Sequence, residues 1–422
     1  MIIEFSVSNF RSIYDKVTLS MVAAKLTGKE NTQDNIFEVE RYKNLPLLKT
    51  AAIYGANAAG KSNLLKGISF FKEFLLNSTD LKLGANINII PFKLFEKAKD
   101  EPLTFEMDFI AVDGIRYIYG FSITESEVTE ERLVSFSTNK PTEIFVRKKR
   151  DPIKFSSILK GHKKILEEQL QNNHLFLTKA ANSNFEQLIP VYLYFKDTLK
   201  IYLENTSKSL HTNLHSVDNL KFQAKVVELL KIADTGISSM SVKSSKVIIT
   251  ENRNVDFNEL FQTFVGHFTT DIEIQKPILW ELSNESDGTI KLFNFAAPIF
   301  VAIENGSVLI IDELNNSWHP LITEYIINLF NNKETNPKNA QLIFTTHDSS
   351  LLSKNLFRRD QMWFFEKDKR GMSKLFSLTD FDKKGVRWNI PFDKWYLSGR
   401  FGAIPNIQKF NSTVNEEAVP SK

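Results

Sequence analysis

A strand-like run, Thr50-Ala51-Ala52-Ile53-Tyr54, leads directly into Gly55-Ala56-Asn57-Ala58-Ala59-Gly60-Lys61-Ser62. Beyond it, Leu64, Leu65, Ile68, Phe71 and Leu75 recur at helical spacing, which predicts a helix from Ser62 to Leu76. Strand, glycine loop and helix in that order match G-x-x-x-x-G-K-[ST] in its required context. Glycines let backbone amides turn inward around phosphate oxygens, and the helix N-terminus adds its positive end. Lys61 is placed to reach the β- and γ-phosphates of ATP, and the Ser62 hydroxyl to ligate Mg²⁺. Gly55, Ala56, Asn57, Ala58, Ala59 and Gly60 supply the cradle. A chain built around this unit is expected to be α/β, with the loop at the end of a parallel strand.

Two later runs supply what such a loop needs. Val308-Leu309-Ile310-Ile311 is a fully apolar strand of the buried parallel type, and it delivers Asp312 and Glu313 to its C-terminal end. Asp312 is expected to hold the metal through water, and Glu313 to polarise an attacking water. The next apolar strand, Gln341 to Thr346, ends in His347, 34 residues after Glu313, where an imidazole could contact the γ-phosphate.

Composition narrows the setting. The chain has 422 residues, no Cys, and 53 Lys+Arg against 50 Asp+Glu. Disulfides, Cys-ligated metals and thiol nucleophiles are excluded, and a reducing cytoplasm is the expected home. A formal charge of +3 excludes a polycation but permits a local basic patch. Met1-Ile2-Ile3-Glu4-Phe5 lacks the basic start of a signal peptide, and the apolar run Phe295–Ile303 is too short to span a bilayer. The 35 Phe are expected to fill the core.

Along the chain, strands are expected at Ile2–Phe10, Ser12–Val22, Leu103–Val112, Arg116–Thr124 and Arg132–Phe136. Helical patterns occupy Ile165–Gln171, Phe185–Leu203 and Leu220–Ile232, with no sustained heptad. Further strands are expected at Ser241–Thr250, Gln361–Glu366 and Ser373–Leu378. The division follows: residues 1–157 form an N-terminal lobe, 158–235 a helical insertion, 236–405 a C-terminal lobe and 406–422 a loose tail.

With these motifs in register the chain resembles the ATP-binding-cassette (ABC-type) ATPases of the structural-maintenance-of-chromosomes, RecF and overcoming-lysogenization group. More closely it resembles the short bacterial AAA-type ATPases of phage-defence and abortive-infection systems such as PARIS, Septu and the Abi/Rlo operons. Phe5-Ser6-Val7-Ser8-Asn9-Phe10-Arg11-Ser12-Ile13 is similar to the family's opening strand and turn, which places Arg11 near the nucleotide. Ser286-Asp287-Gly288-Thr289, starting 26 residues before Asp312, matches the signature element S-x-G-T. Asp312 to Pro320 resembles the second phosphate motif with its D-loop, His347 the switch histidine, and Tyr396 to Pro405 the C-terminal segment of the defence subgroup. The resemblance implies an ABC-type head with a helical insertion in place of a coiled coil. It also implies a head-to-tail dimer in which Ser286 and the Gly288 amide close over ATP held by the other chain. Two departures, Asn315 where the D-loop commonly carries Asp and no glutamine between Ser62 and Gln169, imply slow turnover.

The function this implies is an ATPase that senses or scaffolds and controls a separate toxin or nuclease subunit. A repair ATPase acting on DNA ends, and a scaffold in which hydrolysis is incidental, stand beside it. Arg147 to Lys164 holds eight Lys/Arg and one Asp and could track a phosphate backbone, although a solvated surface explains it as well. His211 and His215 have i, i+4 spacing but no evident third ligand. His319 is expected to position the D-loop. No membrane association and no nuclease centre in this chain are expected.

Overall fold

The computed structural model describes residues 1–405 apart from 27–32, 139, 150, 204–219, 252–253, 269–276, 316–317, 354–355 and 385–389. Two large sheets dominate. One has six strands in the order Leu199–Tyr202, Val308–Ile311, Gln341–Thr345, Thr50–Gly55, Met362–Lys367 and Ser373–Ser377. All neighbours in it are parallel except the last pair. The central strands are buried at every position, so they carry unbroken apolar runs rather than alternation.

The other sheet has seven antiparallel strands: Lys154–Phe155, Thr142–Lys148, Val128–Ser135, Arg116–Ile123, Leu103–Ile110, Ile2–Ser8 and Val17–Ser20. An antiparallel-rich lobe beside a parallel lobe bearing the phosphate loop is the expected ABC-type α/β head. The helix Lys61–Asn77 packs against strands of both lobes. Phe71 on its inner face meets Phe5 at 5.9 Å, Phe121 at 5.0 Å and Phe195 at 5.3 Å. Each fully buried phenylalanine contributes about 1.5–3 kcal/mol, so this cluster fixes the helix and hence the loop at its start. The expectation that phenylalanine fills the core holds here.

One local reading is corrected, one strand is added and one is lengthened. The helical pattern over Phe185–Leu203 breaks up: a helix at Ile189–Leu193 and a wide turn at Tyr194–Thr198 lead into the strand Leu199–Tyr202. Leu199 and Ile201 have a strand beside them to pair with, and that tertiary contact outweighs local periodicity. Thr142–Lys148 is a full strand that its Lys, Arg and Glu content hides. The strand expected at Ser241–Thr250 extends to Ile237–Glu251 and forms a long hairpin with Asn254–His267. Residues Leu159 to Leu199 share one apolar cluster with the first strand and the helix Lys61–Asn77, so this part of the expected insertion packs into the head. His211, His215 and the expected loose tail, 406–422, lie outside the described residues. Among the described residues no helix is long and apolar enough to cross a membrane.

Candidate nucleotide site

Every parallel strand of the six-stranded sheet ends at the same edge, so Gly55, Asp312 and Thr346 emerge together there. In open α/β sheets that edge is where ligands bind. The loop is shaped by close approaches. A Cβ at Gly55, where φ is +150°, would lie 2.5 Å from the Phe365 carbonyl oxygen, and one at Gly60, where φ is +123°, would lie 2.4 Å from Ser373 Oγ. Both positions therefore require glycine. Ser373 Oγ donates to the Ala59 carbonyl at 2.6 Å and accepts from Ser12 Oγ at 2.7 Å, and Asn63 Nδ2 donates to Ser12 Oγ at 2.7 Å. Ser12, in the turn after the first strand, and Ser373, at the start of the strand Ser373–Ser377, thus clamp the loop, and spacing within the loop motif gives no sign of either.

Lys61 is buried, and its Nζ donates to the carbonyl oxygens of Gly55 at 2.8 Å and Ala56 at 3.1 Å. Burial draws its pKa down to about 8, although Asp312 and Glu313 pull the other way. An ammonium held in a buried glycine cradle and satisfied only by loop carbonyls suits a polyanion. Ser62 is half-buried at the start of the helix, and Ala58 has a left-handed φ of +61°.

Thr345 organises the acidic pair. Its hydroxyl donates to Asp312 Oδ1 at 2.5 Å and accepts from the Glu313 amide at 2.7 Å, while its carbonyl accepts from the Leu314 amide at 3.1 Å. The Asp312 amide donates to the Tyr202 carbonyl at 3.0 Å. Glu313 sits at φ +54°, a left-handed conformation that costs about 1–2 kcal/mol for a residue with a side chain. Strain held by three hydrogen bonds turns the chain off the strand and sends the carboxylate towards His347, with 4.0 Å between Glu313 Oε1 and His347 Nε2. Burial and the Lys61 charge lower the His347 pKa against the pull of Asp312, which favours the neutral ring. Thr346 Oγ1 donates to Asn315 Oδ1 at 2.9 Å, which ties the D-loop amide to its own chain, and His319 Nδ1 caps the helix Pro320–Asn331 by accepting from Leu321. Thr345 and Thr346 are the residues that motif reading missed; two hydroxyls ending a buried strand were the available signal.

Arg11 and Asn9 both adopt positive φ in a turn held by Asn9, whose Nδ2 donates to the carbonyls of Ala98 and Glu101. The Arg11 guanidinium lies 5.5 Å from the Phe10 ring centroid, and its Nε is buried without a partner. The turn reaches the loop through Ser12. Ser286 is exposed and caps the helix Asp287–Asn305, its Oγ accepting from the Thr289 amide at 3.2 Å, with Gly288 in the first turn.

The C-terminal segment buttresses the loop from behind. Tyr396 lies 5.9 Å from Tyr54 and 5.6 Å from Phe364, and its hydroxyl donates to the Ala403 carbonyl. Arg147, which opens the basic run read as a solvated surface or a phosphate track, is instead buried beside Glu131 and donates to the carbonyls of Gln171, Asn172 and His174. Such a guanidinium joins segments and is closed to a phosphate backbone. Lys163 Nζ is likewise bound to the carbonyls of Ser156 and Leu159.

No curated protein matches the chain. Its fold is similar to the Smc head domain of Pyrococcus furiosus, solved with an extended coiled coil and bound to the C-terminal domain of ScpA. There the identity is 13% and the TM-score 0.41 over 91% of this chain and 98% of that one. It is also similar to the recombination mediator protein RecF of the RecFOR pathway. The RecF-ATPrS form gives 14% identity and a TM-score of 0.33, covering 89% of this chain and 98% of that one. The RecF-ATP form gives 13% and 0.32, covering 83% and 94%. Residues 51–353 match a family model, and they contain the glycine loop, Asp312, Glu313 and His347. The chain belongs to the family described as AAA domain, putative AbiEii toxin, Type IV TA system.

Proposed function

We propose that this chain is a slow ATPase whose two-chain ATP sandwich controls a separate effector, a toxin or nuclease subunit, in an abortive-infection type of phage defence. The observation that carries the ATPase reading is the convergence of buried Lys61, Asp312, strained Glu313 and His347 at one sheet edge. The oxygen donors of Ser62 and Asp312 suit Mg²⁺, which they would hold and which would supply positive charge against the phosphates. Lys61 holds the β- and γ-phosphates, Glu313 takes a proton from the attacking water, and neutral His347 donates a hydrogen bond to the γ-phosphate. Arg11 contacts the bound nucleotide from the neighbouring turn.

The sandwich rests on Ser286 and Gly288. They form an exposed helix start, with Ser286 as its cap and Gly288 in its first turn, which suits an anion from outside the chain. A second chain's nucleotide is the partner that fits. Asn315, bonded within its own chain, and the missing glutamine support slow turnover. The family description supports the toxin–antitoxin setting, and the internal use of Arg147 and Lys163 leans against a DNA-end enzyme.

The steady-state ATPase rate, measured with and without double-stranded DNA ends against Lys61→Ala as the blank, tests this reading. A slow, Lys61-dependent rate indifferent to DNA is expected. Strong stimulation by DNA ends would replace the effector reading with the repair reading and turn attention to exposed Lys148, Lys149, Lys154 and Lys160.

A further inference from the structure

The hairpin Ile237–Glu251/Asn254–His267 is a two-stranded arm about 50 Å long by strand rise. Its base is packed tightly: a Cβ at Gly266 would lie 2.3 Å from Ser239 Oγ and 3.0 Å from Leu279. The short strand Ile278–Glu281 pairs along that base. There His267, the last residue of the arm, stacks on Trp280 with ring centroids 4.1 Å apart and planes within 17°. Both donate to one oxygen: Glu285 Oε1 accepts from His267 Nε2 at 2.7 Å and from Trp280 Nε1 at 2.6 Å. Because a carboxylate oxygen only accepts, the imidazole carries a proton on Nε2. Glu285 immediately precedes Ser286, and its amide is held by the Leu282 carbonyl at 3.0 Å.

We propose that Glu285 is a positioning residue for the Ser286–Gly288 anion site, and that the His267–Trp280 bracket transmits displacement of the arm to that site. The inference rests on the sandwich reading, in which Ser286 serves the other chain's ATP. A carboxylate gripped by two rigid rings fixes the direction in which the next residue enters its helix. A misplacement of about 1 Å at a reacting site can lower the rate roughly a hundredfold. The arm is therefore a lever with its short end at the signature turn.

The test compares Glu285→Ala, Trp280→Phe (which keeps the stack and removes the donor), Glu285→Gln and Ser286→Arg in the full chain. Turnover number, KM for ATP and thermal unfolding are recorded for each. Glu285→Ala and Trp280→Phe are expected to lower kcat roughly ten- to a hundredfold at temperatures where they remain folded. ATP affinity, set by Lys61 of the same chain, stays unchanged, and Glu285→Gln recovers most of the rate by keeping an acceptor. A merely structural role would lower the unfolding temperature and leave kcat intact. If Ser286→Arg abolishes turnover while Glu285→Ala and Trp280→Phe keep the wild-type kcat, the bracket proposal falls alone. If Ser286→Arg also keeps it, the sandwich reading falls and the proposal with it.

Discussion

Glu313→Gln is expected to lower ATP turnover by roughly 10²- to 10⁴-fold, the usual contribution of a positioned general base, while leaving ATP binding intact. The amide keeps the shape of the carboxylate and the φ of +54°, so the hydrogen bonds to Thr345 persist. Only the ability to take a proton from water is lost. With hydrolysis stopped, two chains closed over ATP have no route to release, and the variant should accumulate as a dimer in ATP. Single-turnover hydrolysis and the mass in solution check both parts. Turnover within twofold of wild type would remove Glu313 from the chemistry.

The second large effect is a proton taken up with the nucleotide. Lys61 has a pKa drawn down to about 8 by burial, so near pH 8 about half of the chains carry a neutral amine. A bound triphosphate is already ionised at that pH and favours the ammonium. Binding at pH 8 should therefore take up about half a proton per site, and close to none at pH 6.5. Above pH 8 the apparent affinity should fall by up to about tenfold per pH unit. The stability of the chain without nucleotide has the matching sign. The folded pKa is below the ordinary lysine value, so folding opposes the charged form: the penalty is full below about 8 and fades as pH rises towards 10.5. Calorimetry in two buffers of different ionisation heat measures the uptake, with Lys61→Met as the control that neither binds nor takes up protons. A binding heat indifferent to buffer at pH 8 would contradict the buried-ammonium account.

Much of this site was legible because its parts are local. The glycine loop needs one strand, two glycines and a helix start, all within a dozen residues, and Asp312, Glu313 and His347 each terminate an apolar strand that can be read alone. What escaped was set by contacts distant in sequence. Thr345 matters because its hydroxyl reaches Asp312 and Glu313 on another strand, and Ser12 and Ser373 meet the loop from opposite ends of the chain. Leu199–Tyr202 follows helical periodicity yet becomes a strand because an unpaired edge lies next to it. Arg147 looked like part of a basic surface, and only the fold shows its charge turned inward onto three carbonyls. Charge runs report composition; burial decides their use.

Completion of each nucleotide site by a second chain is tested most directly by mixing two inactive variants. Lys61→Ala removes the loop's cation but keeps Ser286, whereas Ser286→Arg blocks the signature turn but keeps Lys61. A mixed pair contains one site with both parts intact, so equal mixing should restore about a quarter of the wild-type ATPase rate from two inactive proteins. A mixture that stays inactive, or a Ser286→Arg protein that hydrolyses ATP unaided, would contradict the sandwich.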